Sequence, residues 1–294
     1  MIRDTITYSI SSADSGKRAD RFLRDNGFSR HLIIQIKKIP NGLLLDGTAI
    51  FCNHILTDGQ TLTVRLPKPE RSEHMLPVSF PLNILYEDCD IIVLNKSAGM
   101  PVHPSQGHFD DTLSNALAYY FMCRHEPFTA RSVGRLDRDT SGVVLFALNE
   151  LSSCILAEQM RNREIHREYR AVCTGLLPES GCIDAPIARA HDSTIERIVD
   201  FSRGDPAVTH FTRLQYNDCY SLAAVRLETG RTHQIRVHMK HIGHPLPGDF
   251  LYNPDYSDIS RQALHSYKLS FVHPITKEHM TFTAPIPSDM QKLL

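Results

Sequence analysis

The sequence predicts an α+β protein: a mixed, largely antiparallel sheet with flanking helices, preceded by a small N-terminal α/β unit. Three observations predict it. Beyond residue 81, eight strand-like segments outnumber three helical ones. The two kinds do not alternate strictly, as a doubly wound parallel sheet would demand. Pro67–Pro81 (PKPERSEHMLPVSFP) packs four prolines into fifteen residues, which neither a helix interior nor a central strand accepts. The chain therefore divides into a small unit at 1–66, a linker at 67–81 and a larger unit at 82–294.

In the small unit, Ala19–Asn26 and Ser29–Ile39 read as short helices. Ser29 is the N-cap, and Phe22, Leu23, Leu32, Ile33 and Ile36 supply apolar faces at helical spacing. Strands follow at Leu43–Leu45, from Ala49, and at Leu62–Leu66, with turns at Asp46-Gly47 and Asp58-Gly59. In the larger unit the strand segments are Ile84–Tyr86, Ile91–Asn95, Gly142–Leu148, Glu168–Thr174, Ala207–Leu214, Ser221–Leu227, Lys268–Phe271 and Met280–Ala284. Helical spacing marks Thr112–Phe121, Leu151–Asn162 and Thr232–Ile242.

The 294 residues are 41% apolar and 22% charged, enough for a sizeable core and unlike a disordered or fibrous chain. No apolar run approaches the ~20 residues of a membrane helix, and the first twenty residues carry charge where a signal peptide has an apolar core. Seven cysteines without a Cys-x-x-Cys pair indicate neither a disulfide framework nor a thiolate metal site. A soluble, cytoplasmic protein is expected. The net charge of −1 is low for a protein held to nucleic acid by charge alone, but basic residues are unevenly placed. Met1–Glu70 holds ten basic against seven acidic residues, and Arg226–His244 holds four basic residues, four histidines and one acid.

Three segments can carry chemistry. The first, Gly134-Arg135-Leu136-Asp137-Arg138-Asp139-Thr140-Ser141-Gly142, leads into the apolar strand that starts at Val143. A carboxylate flanked by guanidinium groups stays ionised, as a nucleophile or base requires. The same residues also suit a turn in which Asp139, Thr140 and Ser141 only cap neighbouring amides. In the second, Glu228–His241, a helix over 232–242 buries Ile235, Met239 and Ile242, and Arg231 with the first amides can meet a phosphate. His233, His238, His241 and His244 lack the four-residue spacing of a helical metal pair, and the basic residues among them repel a cation; no metal is expected. The third is Arg167-Glu168-Tyr169-Arg170-Ala171-Val172, where Tyr169 is either a half-buried strand residue or a stacking platform for a base.

Taken in order, these segments resemble the RluA-type pseudouridine synthases, with their Arg-Leu-Asp-x-x-Thr-Ser-Gly loop, Tyr-x-Ala strand and Gly-Arg-Thr-His-Gln-Ile-Arg-x-His helix. Tyr86–Asp88, Val93–Lys96, His103-Pro104, Gly204–Thr209, His244-Pro245, Gly248-Asp249, Leu264-His265 and His273-Pro274 extend the likeness from Ile84 to Pro285. Gly134 stands where many relatives have histidine, and Ser97 where proline is usual. The N-terminal helix-helix-hairpin is similar to the RNA-binding domain named after small-subunit ribosomal protein four, through Arg21-Phe22-Leu23, Ser29-Arg30 and the two Asp-Gly turns.

The resemblance implies isomerisation of specific uridines in structured RNA, ribosomal or transfer, to pseudouridine. Such a reaction has no net redox change and loses no group, so no cofactor is demanded. It implies that Asp137 is the catalytic carboxylate, Arg236 the cation that holds it, and Tyr169 a base-stacking residue whose hydroxyl assists the last proton removal. It further implies that Arg135 fills the space left by the target base. Arg231, Thr140, His233 and Lys240 complete the residues expected to meet the RNA, Thr140 and Asp139 also supporting the loop. A monomer without an obligate protein partner is expected. Competing readings are an RNA-binding protein without catalysis, a metal-dependent hydrolase built on the histidines, and a nucleoside hydrolase using Asp137 and Asp139.

Overall fold

The computed structural model describes residues 1–69, 75–105 and 107–294; of the expected linker, residues 70–74 lie outside that range. The chain runs β1 (Thr5–Ser9), α1 (Ala19–Asp25), α2 (Arg30–Ile36), β2 (Leu43–Leu45), β3 (Thr48–Ala49) and β4 (Thr61–Arg65). It continues through β5 (Ile84–Glu87), β6 (Ile91–Lys96), α3 (Leu113–Cys123), β7 (Arg131–Ser132), β8 (Ser141–Ala147), α4 (Glu150–Arg161) and β9 (His166–Thr174). Then come β10 (Ser180–Asp184), β11 (Ile187–Arg189), β12 (Arg197–Val199), β13 (Val208–Tyr216), β14 (Tyr220–Leu227), α5 (Gln234–His241), β15 (Leu264–Val272), β16 (His279–Thr283) and α6 (Ser288–Gln291).

The first four strands form a small sheet in the order β1-β4-β2-β3, with α1 and α2 packed on it. Ser29 caps α2 by accepting from the Leu32 amide, as expected. The helix stops at Ile36 instead of Ile39, and Pro40, just beyond, disfavours helical backbone in the residue before it. The strand β1 was not expected. Its partner β4 lies more than fifty residues along the chain, so no hairpin signal marks it. This unit is docked on the rest: Leu151 and Ile155 of α4 belong to its core, and Arg3 forks the buried carboxylate of Asp90 at 2.7 and 2.8 Å.

The large sheet has the order β10-β13-β14-β9-β15-β8-β6-β5, with β16 beside β15 and β7 beside β8. Every pairing in it is antiparallel except β15 with β8. The mixed, largely antiparallel α+β architecture is therefore the observed one. Strand β8 is buried along its whole length, and so reads in the sequence as a continuous apolar run. Where β8 meets β15, a Cβ on Gly142 would fall 2.2 Å from the Ser266 carbonyl oxygen, and its φ is +111°. Only glycine lets the two backbones approach there. Strand β15 enters between β8, to which it is parallel, and β9, to which it is antiparallel, so the start of β8 lies level with the middle of β9, Ser141 and Arg170 both pairing with His265.

Two expectations need correction. The helix expected at Thr232–Ile242 begins at Gln234, because His233 adopts a left-handed backbone (φ 59°, ψ 17°) that a right-handed helix cannot include. Strands β10 to β12 also went unforeseen. They are short, three to five residues each, and their order comes from partners in β13 and from each other. Among the described residues, no helix is long and apolar enough to cross a membrane.

Candidate active site

The loop 133–140 bends into β8 and carries Asp137 half-exposed, at 27%. Asp137 Oδ2 accepts from Arg236 Nη1 at 2.9 Å. Arg236 sits on α5 and is 1% exposed. Its other two donating nitrogens fork a second carboxylate: Nε meets Asp249 Oδ2 at 2.7 Å and Nη2 meets Asp249 Oδ1 at 2.8 Å. Asp249 is fully buried and is itself pinned by the amides of Leu251 and Tyr252. One guanidinium thus serves two carboxylates, and the rigid fork to Asp249 fixes the direction in which the remaining nitrogen reaches Asp137. Burial works against the charge on Arg236, but the hydrogen bonds and charges of Asp249 and Asp137 outweigh it and push its pKa up. The rings of Phe250 and Tyr252 lie 5.4 and 5.1 Å from its guanidinium carbon, adding cation–π attraction where water is excluded.

Tyr169 projects from β9 into the same cleft, 5% exposed. Its hydroxyl has no hydrogen-bond partner among the described residues, and burial raises its pKa, holding it as a neutral phenol. Arg135, Leu136, Thr140, Arg231, His233, Gln234 and Leu264 complete the cleft around Asp137, Tyr169 and Arg236. Arg135 is exposed and, among the described residues, makes no ion pair. Thr140 is buried, accepting from Gln262 at 3.4 Å. His233 bonds through Nδ1 to the Tyr252 hydroxyl at 3.0 Å, and its Nε2 faces Asp137 Oδ2 at 4.0 Å. Burial is the main reason its pKa falls to about 4, so its ring is neutral at pH 7. Lys240 is not brought into the cleft; it stands on the exposed side of α5 with Nζ 5.4 Å from the centre of the Tyr252 ring. Asp139 turns to Arg138, at 2.9 and 3.0 Å, away from Asp137.

The phosphate role expected of the residues before α5 is modified. The Arg231 amide donates to Gln234 Oε1 at 2.9 Å, and the Arg231 guanidinium reaches Asp205 at 3.3 Å. The histidines do not converge. His238 bonds Thr209 and the Ala185 carbonyl, each at 2.8 Å, and His244 bonds the Thr174 carbonyl. Asp88, Asp90 and His273 do lie close together, but Arg3, Tyr86, Asn149 and backbone amides already occupy their oxygens. A roomier cavity of about 440 Å³ lies in the N-terminal unit between Arg18, Lys37 and Phe51 and contains none of the candidate residues.

Three further residues shape the site. Asp249 and Lys96 stand in segments that carry the family resemblance, which by itself gives them no role. Lys96 is 1% exposed, and its ammonium donates to the carbonyls of Ser97, Met100 and Arg138, each at 2.8 Å. It ties the Asp137 loop to the end of β6, although burial draws its pKa down to about 7. Arg167, two residues before Tyr169 and on the same face of β9, donates to the Val133 carbonyl at 2.6 Å. Its guanidinium fills the space beside Gly134, where an added Cβ would meet Nη2 at 2.3 Å. Arg167 therefore occupies the volume that a side chain at 134 would need.

Residues 90–241 match the family described as RNA pseudouridylate synthase. The chain is 42% identical over 269 residues to the RNA pseudouridine synthase YjbO of Bacillus subtilis, covering 91% of this chain and 95% of that one. It is 36% identical over 301 residues to ribosomal large subunit pseudouridine synthase D of Xanthomonas campestris, covering 97% and 90%. Among solved structures, human RNA pseudouridylate synthase domain containing 1 aligns with a TM-score of 0.59 and 27% identity over 72% of this chain and 86% of that one.

Proposed function

The chain belongs to the RNA pseudouridylate synthase family and isomerises uridine in RNA to pseudouridine; we propose that its targets are specific uridines of structured ribosomal RNA and that Asp137 is the acting carboxylate. The observation that carries the second part is the 2.9 Å bond between Asp137 and the buried Arg236, at the mouth of a cleft lined by Tyr169. A likeness to ribosomal large subunit synthases over nearly the whole chain favours ribosomal over transfer RNA.

The reaction breaks the bond from the anomeric carbon to N1 of uracil, turns the base, and joins the same carbon to C5; C5 gives up its proton to solvent and N1 takes one up. Atoms and electrons then balance with no redox change, so no cofactor is needed. Both attack on the anomeric carbon and removal of a sugar proton require an ionised acid. Arg236 pairs with Asp137 at 2.9 Å and aims it. The target must leave its stack, at a cost of a few kcal/mol. Arg135, uncommitted and exposed, is placed to stack in the space left behind. Tyr169 stacks the detached uracil and excludes water; its hydroxyl, kept as a neutral phenol by burial, is placed beside the ring carbon that loses its proton last. Arg231, Thr140 and His233 line the substrate side, and Lys240 meets the RNA outside the cleft. We further assign residues 1–66 to phosphate contacts, and take the protein as a cytoplasmic monomer.

The test is tritium release from RNA labelled at C5 of uridine. Release without free uracil, unaffected by a chelator, is the expected result. Free uracil would point to a hydrolase, and chelator sensitivity to a metal. RNA binding with no release would leave a binding protein.

A further inference from the structure

Tyr252 stands behind His233. Its hydroxyl accepts from the backbone N–H of Arg197 at 2.9 Å and lies 3.0 Å from His233 Nδ1. A phenol has one proton to give, and Nδ1 is the acceptor available to it among the described residues. A buried donor left without an acceptor is costly, so the proton goes to Nδ1. A neutral imidazole that accepts at Nδ1 carries its own proton on Nε2. Neutrality follows first from burial, with Asp137 and Asp249 opposing it and Arg236 and Arg197 reinforcing it.

That Nε2–H faces Asp137 Oδ2 across 4.0 Å. The gap is too long for a direct hydrogen bond, but one atom about 2.8 Å from each side fits when it sits about 2 Å off the line between them. Such an atom must accept from an N–H and donate to a carboxylate at once. A carbonyl oxygen cannot donate, an amide N–H cannot accept, and a phosphate oxygen is repelled by Asp137. A hydroxyl does both, as does a water that such a hydroxyl would displace. Beside the bond that breaks, the sugar's nearest hydroxyl is the one on C2′. The left-handed backbone of His233, uncommon outside glycine and tolerated by histidine, holds the ring in this position.

We propose that His233, fixed as the Nε2–H tautomer by Tyr252, binds the ribose 2′-hydroxyl of the target nucleotide together with Asp137, and so determines specificity for uridine over 2′-deoxyuridine. The inference rests on the reading that Asp137 lies beside the target sugar.

Two measurements test it on the full chain. In ¹⁵N NMR of histidine-labelled protein at pH 7, His233 shows a bare Nδ1 and a protonated Nε2, and Tyr252→Phe destroys that preference; a protonated Nδ1 in the wild type overturns the proposal. Large-subunit ribosomal RNA is then transcribed with either tritiated uridine or tritiated 2′-deoxyuridine. The ratio of kcat/KM for the two transcripts falls about tenfold, the value of one hydrogen bond, in both His233→Ala and Tyr252→Phe. In His233→Gln, which keeps an N–H at similar reach, the ratio is partly restored. An unchanged ratio in a folded His233→Ala removes the specificity role and leaves Asp137 untouched. Absence of release from the uridine transcript by the wild type, in contrast, removes the underlying reading of the site.

Discussion

Replacing Asp249 by asparagine tests whether the site depends on the second carboxylate around Arg236. Asparagine keeps the shape but removes the charge and one acceptor of a fork with bonds of 2.7 and 2.8 Å, in a place with no exposure. Breaking a buried pair by removing one partner costs about 3–5 kcal/mol. Asp137 still balances the guanidinium, so the low end, about 3 kcal/mol, is expected. At about 2–4 °C per kcal/mol for a unit of this size, Tm drops by about 6–12 °C. Catalysis suffers separately. Without the fork, Arg236 no longer has one direction in which to meet Asp137, and a misplacement near 1 Å costs about a hundredfold in rate. Because RNA affinity is spread over many contacts, kcat takes the loss and KM changes little. Calorimetry and single-turnover tritium release read the two effects. A variant with wild-type Tm and wild-type kcat would show that Arg236 is held by something else, and the reasoning from the fork would fail.

Three other outcomes follow from the same geometry. Lys96→Met leaves the carbonyls of Ser97, Met100 and Arg138 without their donor, so Tm and kcat should both fall, with a cost of about 1–3 kcal/mol per buried group as the upper bound; a merely packed lysine would tolerate the change. Gly134→Ala puts a Cβ into the Arg167 guanidinium at φ +82°; the left-handed backbone alone costs about 1–2 kcal/mol, so Tm should fall, and Arg167→Ala should relieve only what displacing that flexible side chain adds; additive effects in the double variant would contradict the shared volume. His233 has a folded pKa near 4 against 6.5 when free. Between those values the unfolded chain binds more protons, so stability is full above pH 6.5 and is lost as pH falls toward 4, by up to about 3 kcal/mol. In His233→Gln the acid limb of Tm against pH should flatten, and an unchanged slope would assign the loss to other groups.

Much of this was legible in the sequence because it is local. Ser29 caps α2 through its own hydroxyl, and the uninterrupted apolar run at β8 reports burial on both faces; that Asp137, Tyr169 and Arg236 share one site is implied by the family resemblance of three motifs, not by local sequence. What escaped depends on distant partners. Strand β1 takes its register from β4, and Asp249 gains its meaning only when α5 brings Arg236 against it. The helix α5 starts two residues later than the sequence predicts, because no residue type in Thr232-His233 reports the left-handed backbone that His233 adopts. Tyr252 carried no signal at all; its task is visible only with His233 and Arg197 beside it.

We propose that one carboxyl oxygen of Asp137 does the chemistry. Single-turnover tritium release by Asp137→Asn, measured beside its RNA affinity, decides it. Release should vanish while the RNA is still bound with wild-type affinity; release at the wild-type rate would show that another group acts on the sugar.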